Sequence, residues 1–272
     1  MPDHPQAAGA RPLAVVTGAS SGIGLELARC AAQDGCDLVI CAQDDAIEEA
    51  ARELRLLGAA VEAVRADLST EAGVLLLWER VGAREVDYLC ANAGVALGDA
   101  FVEEEWARID AMLKLNVVGT TLLLHRALPR MLTRTQGRIL VTGSIAGFVP
   151  GAFMAVYNAT KAYLDSLSYA VREEIKDFGG DVTITCLMPG LTDTPVFERA
   201  DMMDTPVGKA GSLVKSDPAD VARAGWEAMK AGKAGVTPGL VNKLITTFAG
   251  IIPDTILAQL NRLQAEPADG KS

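Results

Sequence analysis

The sequence predicts an α/β fold: one domain on a doubly wound parallel sheet of about seven strands, with helices on both faces. Three observations predict it. Short runs rich in Val, Ile and Leu alternate along the chain with segments of helical period. Those runs are continuously apolar, as strands covered on both faces are. A glycine-rich turn joins the first run to the first helical segment.

Residues 13–17 (LAVVT) form the first strand, and 22–34 the first helix, stopped by Gly35 just past its end. Residues 37–41 (DLVIC) are the second strand. The helix in 44–58 opens with Asp45 and Glu48, three apart, as in a capping box. Residues 61–68 are the third strand, 70–82 a helix, and 86–94 (VDYLCANAG) a fourth strand and turn. One long helix spans about 103–133, and 138–144 (RILVTGS) is the fifth strand. The next helix holds YNATK and runs to about 178, ended by Gly179 and Gly180. Residues 182–190 (VTITCLMPG) are the sixth strand. Asp217 and Pro218 read as a cap with proline in the first helical position, and a weak strand follows at 235–237.

No repeat or linker divides the chain. Residues 1–11 read as a flexible tail, 12–240 as the α/β domain, and 241–272 as a helical extension and tail of the same domain. Within it, 191–216 carries two prolines and no clear period, the mark of a substrate loop or lid. The apolar stretch 241–263 is roughly helical, broken by Pro253, and is expected to pack on that loop or on a neighbouring subunit.

The chain has 272 residues, half of them hydrophobic, and a formal net charge of −10. That balance disfavours nucleic acid and adhesion to an anionic membrane, each of which requires a basic surface. No segment reads as a signal peptide or a spanning helix, so a cytoplasmic protein without stable membrane anchoring is expected. Five cysteines in apolar runs, none in C-x-x-C, read as small buried hydrophobes. With His4 and His125 the only histidines, neither a metal site nor a histidine-based triad is expected, and His125 reads as structural.

TGASSGIG (17–24) lies between the first strand and the first helix. Gly18, Gly22 and Gly24 permit a tight turn and close approach of backbone to a pyrophosphate; Ser20, Ser21 and Ile23 complete the loop. The spacing is G-x-x-x-G-x-G, and no Gly-Lys-Ser/Thr follows, which disfavours a nucleoside triphosphatase. YNATK (157–161) places Tyr157 and Lys161 four apart on one helix face, a phenol beside an ammonium. Alone, that pair could equally be a surface contact.

TGASSGIG, Asp67-Leu68, CANAG (90–94), Asn116, Ser144, YNATK and Pro189-Gly190 occur in the order found in short-chain dehydrogenases/reductases, with Ser144 thirteen residues before Tyr157. The chain resembles that family over about residues 12–195. The resemblance implies a single-domain Rossmann fold and an NAD(P)-dependent oxidoreductase interconverting a ketone or aldehyde and an alcohol. It implies that Tyr157 serves as general acid or base, its pKa lowered by Lys161 and by the oxidised nicotinamide. It gives Ser144 the substrate oxygen, Lys161 the nicotinamide ribose, and Asn116 a water path from the lysine. Asp67 and Leu68 then meet the adenine, although Asp67 could instead cap the next helix. Asn92, Ala93 and Gly94 line the adenosine side. Pro189, Gly190, Leu191, Thr192 and Thr194 face the nicotinamide and phosphates.

The chain departs from that pattern after the second strand, where Ala42, Gln43, Asp44 and Asp45 follow. No base is present for a 2′-phosphate, yet alanine stands in the usual place of the NAD aspartate. The cofactor is therefore NAD or NADP, leaning to NAD, with Gln43 and Asp44 nearest the ribose. Phe148, Phe153, Met154, Phe197, Met202 and Met203 flank the site and suggest a small hydrophobic substrate, unless some are core. Ala155, Ala159 and Ala162 would allow close helix packing in a homodimer or homotetramer, though they also suit packing on the sheet. The rival readings are a non-catalytic NAD(P)-binding sensor or scaffold, and an epimerase or dehydratase on the same fold.

Overall fold

The computed structural model describes residues 11–196, 200, 202, 204–209, 215–239, 242–244, 246 and 252–266. Seven parallel strands form one sheet in the order β3-β2-β1-β4-β5-β6-β7. They are β1 (Leu13–Thr17), β2 (Asp37–Ala42), β3 (Val61–Arg65), β4 (Tyr88–Ala91), β5 (Gln136–Thr142), β6 (Asp181–Leu187) and β7 (Gly235–Val236). The helices between them are α1 (Gly22–Gln33), α2 (Ala46–Leu56), α3 (Glu71–Val81), α4 (Trp106–Leu113), α5 (Thr120–Arg134) and α6 (Ala155–Glu174). After β6 come a short α7 (Pro206–Lys209), α8 (Pro218–Lys230) and, after β7, α9 (Asp254–Ala265).

The period-two geometry of a strand sends successive side chains to opposite layers. Leu13 and Val15 enter one core cluster with Val39, Ile139, Ile184 and residues of α3 and α5. Ala14 and Val16 enter the other with Ile40, Leu140 and residues of α1, α2 and α8. Both faces are thus apolar, which is why the strands read as unbroken apolar runs. The chain crosses from β3 to β4 over β1, so β1 and β4 are neighbours whose connections leave in opposite directions. Their carboxyl ends open a crevice, the usual ligand position in such sheets.

Several local expectations change. Asp45 makes no capping bond; its carboxylate pairs with Arg65 at the end of β3, a partner 20 residues away in sequence. β3 stops at Arg65 rather than at residue 68. Thr70, not Asp67, caps α3, accepting from the Gly73 N–H. The single helix expected over 103–133 starts at Trp106 and widens to a π turn over Lys114–Gly119. The backbone there packs closely on the turn after β3: a Cβ on Gly119 would lie 2.1 Å from the Leu68 carbonyl oxygen. Asp217 does cap α8, accepting from the Ala219 N–H at 2.8 Å. Four of the five cysteines are buried, Cys30 partly so, and all are unbridged. His125 is exposed on α5.

Among the described residues, no helix is long and apolar enough to cross a membrane. Of the tail, only Arg11 belongs to the described residues. Phe197 and Met203, parts of 191–216 and of 241–263, and residues 267–272 lie outside them.

Candidate active site

The turn after β1 is built by close contact. Gly18 and Gly22 take φ of 66° and 56°, a region that disfavours side chains. A Cβ on Gly24 would lie 2.1 Å from the Gly18 carbonyl oxygen and 2.6 Å from Asn92 Nδ2. Gly24→Ala is therefore expected to destabilise the protein by about 1–3 kcal/mol and to weaken cofactor binding, read by thermal unfolding and by titration with reduced nicotinamide cofactor. Ser21 starts α1 with extended backbone and no side-chain cap, leaving the first N–H groups of the helix without a capping side chain.

The strand ends are tied together around that turn. Thr17 Oγ1 donates to Cys90 O and accepts from the N–H groups of Asn92 and Ala93. Asn92 donates to Thr17 O at 3.1 Å and accepts from Thr142 Oγ1 at 2.9 Å. One side chain thus spans the ends of β1, β4 and β5. The threonines were not singled out from sequence; their strand-end positions were the available signal.

One cavity of about 610 Å³ lies over this end of the sheet. Every residue expected to meet cofactor lines it. They comprise Gly18, Ser20, Ser21, Gly22, Ile23 and Gly24 from the turn, Gln43 and Asp44 after β2, and Asp67 and Leu68 after β3. Asn92, Ala93 and Gly94 follow β4, and Pro189, Gly190, Leu191, Thr192 and Thr194 follow β6. At the β2 edge, Ser20 Oγ donates to Asp44 Oδ2 at 3.0 Å. Asp67 Oδ1 accepts from the Ser69 N–H at 2.9 Å. Among the described lining residues Lys161 is the sole cation, and it sits at the other end, beside Tyr157. This wall, with its turn, carboxylates and depth, fits a dinucleotide.

Ser144, Tyr157 and Lys161 meet at the far end of the cavity. Ser144 follows β5 after Gly143; its hydroxyl donates to Pro189 O at 3.4 Å and accepts from the Ala146 N–H at 3.1 Å. It also hydrogen-bonds Tyr157, which favours the phenolate. Burial acts the other way and is larger, pushing the Tyr157 phenol up to about 12. Lys161 is not among the groups that shift it, and burial outweighs the lowering expected from the lysine. The Lys161 ammonium lies 5.8 Å from the Tyr157 ring centre and donates to Thr142 O at 2.8 Å. Burial brings Lys161 down to about 8, with Asp165 opposing.

Asn116 is fully buried in the π turn and lies outside the cavity wall. Its amide accepts from the Val95 N–H and donates to Val95 O, both at 2.9 Å, and donates to Thr160 Oγ1 at 3.1 Å. It clamps the chain leaving β4 to α6. A Cβ on Gly94 would lie 3.1 Å from Asn116 Oδ1 and 3.7 Å from Lys161 Nζ, so both groups flank Gly94.

The outer wall is apolar: Val149, Met154, Pro195, Val196, Leu257 and Leu260. Of the six bulky residues noted in sequence, Met154 lines it. Phe153 and Met202 pack behind, and Phe148 is not part of the wall. The loop after β6 is closed at its base by the bridge between Thr192 and Ser216. α9 packs on α7, and Arg262 stacks over Phe153 at 5.6 Å. Ile252, Leu257, Leu260 and Asn261 of the C-terminal extension reach the cavity, a contribution that amphipathicity alone did not assign to particular residues. Among the described residues, no cluster of His, Cys, Asp and Glu could hold a metal.

Comparison with known proteins gives a consistent picture. A family model described as short chain dehydrogenase matches residues 12–205. The chain is 34% identical over 224 residues to a 1-deoxy-11-beta-hydroxypentalenate dehydrogenase of Streptomyces exfoliatus, covering 79% of this chain and 78% of the relative. A short-chain dehydrogenase from Sphingobium yanoikuyae in complex with NADPH superposes with a TM-score of 0.76 at 29% identity, covering 88% of this chain and 94% of that one. One from Burkholderia phymatum in complex with NAD gives 0.79 at 25% identity, covering 98% and 100%.

Proposed function

The chain belongs to the short-chain dehydrogenase family of NAD(P)-dependent oxidoreductases acting on CH–OH groups, and we propose that it reduces a small, uncharged, apolar ketone with NADH. The observation that carries this reading is a buried Tyr157 hydroxyl, held by Ser144 and kept protonated, at the foot of an apolar wall. A phenol that stays protonated at neutral pH is suited to give a proton to a developing alkoxide. A relative named a 1-deoxy-11-beta-hydroxypentalenate dehydrogenase supports chemistry at a carbon-bound hydroxyl.

The bound nicotinamide supplies the hydride. The turn 18–24 and the start of α1 receive the diphosphate. Asp67 and Leu68 would meet the adenine, Asn92 to Gly94 the adenosine side, and Pro189 to Thr194 the nicotinamide end, all of them lining the one cavity. Ser144 holds the substrate oxygen beside Tyr157. Tyr157 donates the proton, and Lys161, fixed by Thr142 O, maintains positive potential beneath it. Asn116 supports this floor through Val95 and Thr160.

Solved relatives hold NADPH in one case and NAD in another. Here the ribose end offers Asp44 and Asp67 and no cation among the described lining residues. A carboxylate accepts from a 2′-hydroxyl and repels a 2′-phosphate. NADH is therefore expected to exceed NADPH in kcat/KM by about tenfold or more, the worth of one charge-assisted hydrogen bond. Asp44→Ala is expected to remove most of that preference through KM for NADH. The test is loss of reduced-cofactor absorbance with each cofactor across a panel of cyclic and branched ketones. Turnover with NADPH alone would refute the NADH assignment, and no turnover with either would refute the reductase reading.

Assembly follows from α6. Ala155 and Ala159 are exposed there with Tyr163, beside exposed Val118. This small-residue face supports a homodimer or homotetramer.

A further inference from the structure

Behind the three reacting side chains lies a buried carboxyl group that the proton chemistry does not use. Asp165 stands one turn beyond Lys161 on α6 and is 6% exposed. One carboxyl oxygen accepts from Cys186 Sγ on β6 at 3.2 Å, and the Ser144 backbone also bonds the group. The second oxygen, Oδ2, is buried without a hydrogen-bond partner.

Two glycines make the space. A Cβ on Gly143 would lie 1.8 Å from Asp165 Oδ1, and one on Gly147 would lie 2.3 Å from Oδ2. Both flank Ser144. The end of β5, the 3-10 turn Ile145–Phe148, α6 and β6 therefore converge on one carboxyl. Burying a carboxylate with an unpaired oxygen is unfavourable, and a neutral side chain of the same volume would fill the space with less strain. Burial accordingly raises this carboxyl to about 6, so at neutral pH it is mostly ionised. The titratable groups that face it are Lys161, Tyr157 and Tyr169 from its own helix and Cys186 from β6. The turn Ile145–Phe148 brings none.

We propose, on the premise of the reductase reading, that Asp165 is a positioning residue: it holds the Ser144 corner against the helix bearing Tyr157 and Lys161, and its negative charge keeps Lys161 protonated. Ser144 touches the substrate oxygen; Asp165 acts through it. Asp165 takes the space a side chain at Gly143 would need; at Gly147 it shares that space with the backbone of α6 at Lys161 and Ala162.

Asp165→Asn and Asp165→Ala separate the two roles. Asn keeps the shape and the acceptor for the Ser144 N–H but removes the charge. Removing an anion that supports Lys161 lowers the pH at which Lys161 loses its proton. The alkaline fall of kcat in ketone reduction is expected to move down by about one pH unit, a roughly fivefold loss at pH 8. KM and the dissociation constant of NADH are expected to stay within about twofold. Asp165→Ala is expected in addition to raise the ketone KM and, in a crystal structure, to displace the Ser144 hydroxyl. Wild-type pH profiles in both variants, or an unmoved Ser144 hydroxyl in Asp165→Ala, would overturn the proposal. If Asp165→Ala does not fold, Asp165→Asn alone decides through its pH profile. A wild-type protein that reduces no ketone would sink the reductase reading instead, and the Ser144 position would still judge Asp165.

Discussion

Tyr157→Phe is expected to bind NADH as tightly as the wild type while reducing ketone at least about a hundredfold more slowly. The substitution removes one oxygen and leaves the ring that lines the cavity. The Ser144 hydroxyl keeps its bond to Pro189 O, so the corner should hold. What disappears is the hydroxyl that Ser144 holds and that would supply a proton to the substrate oxygen. Burial holds that proton on the phenol far above neutral pH, which makes it available throughout the working range. The measurement is single-turnover oxidation of NADH beside a fluorescence titration of NADH. Equal rates in the two proteins would remove Tyr157 from the chemistry and favour a cofactor-binding scaffold.

Lys161→Met is expected to lower turnover at least about a hundredfold and at the same time to raise stability at pH 7 by about 2 kcal/mol. Lys161 is 6% exposed, and burial brings its ammonium from 10.5 down to about 8. The folded state therefore binds the proton less well than the unfolded chain. Between about pH 8 and 10.5 the unfolded chain holds a proton that the folded one has released, so wild-type stability rises with pH in that window. Below it the cost of the buried charge is present in full. Methionine removes that cost and also the hydrogen bond to Thr142 O, which offsets part of the gain. The advantage of the variant should fade as pH approaches 10.5. Urea unfolding at pH 7 and pH 10 reads both arms. A variant less stable than wild type at pH 7 would show that the ammonium is held by more than one carbonyl.

The sheet was legible because its signal is periodic and local. Strands 13–17 and 37–41 needed only β-branched apolar runs between glycine stops. Helical spacing alone put Tyr157 and Lys161 on one face; Ser144 and the roles given to all three came from the resemblance to short-chain dehydrogenases/reductases, and the fold brings the three side chains to one cavity. Features that depend on distant partners were not. The Asp45 cap failed because Arg65 competes for its carboxylate. The π turn around Asn116 was hidden because the contacts made there are distant in sequence: Gly119 packs against a carbonyl 51 residues earlier in the chain. Lys161 reads in sequence as a tuning group for Tyr157; the fold turns its charge toward Thr142 O, and burial sets the phenol. Asp165, at i+4 from a lysine, has the pattern of a solvated helix pair, and only the space left by Gly143 and Gly147 shows that it is interior.

The central claim is that this cavity moves a hydride to a carbonyl carbon while Tyr157 protonates the oxygen. The most direct test follows the label from NADH deuterated on the transferring carbon, with the alcohol product analysed by mass spectrometry. Deuterium on the carbinol carbon, formed by wild type and nearly absent with Tyr157→Phe, is the expected result. Unlabelled alcohol, or equal label from both proteins, would contradict it.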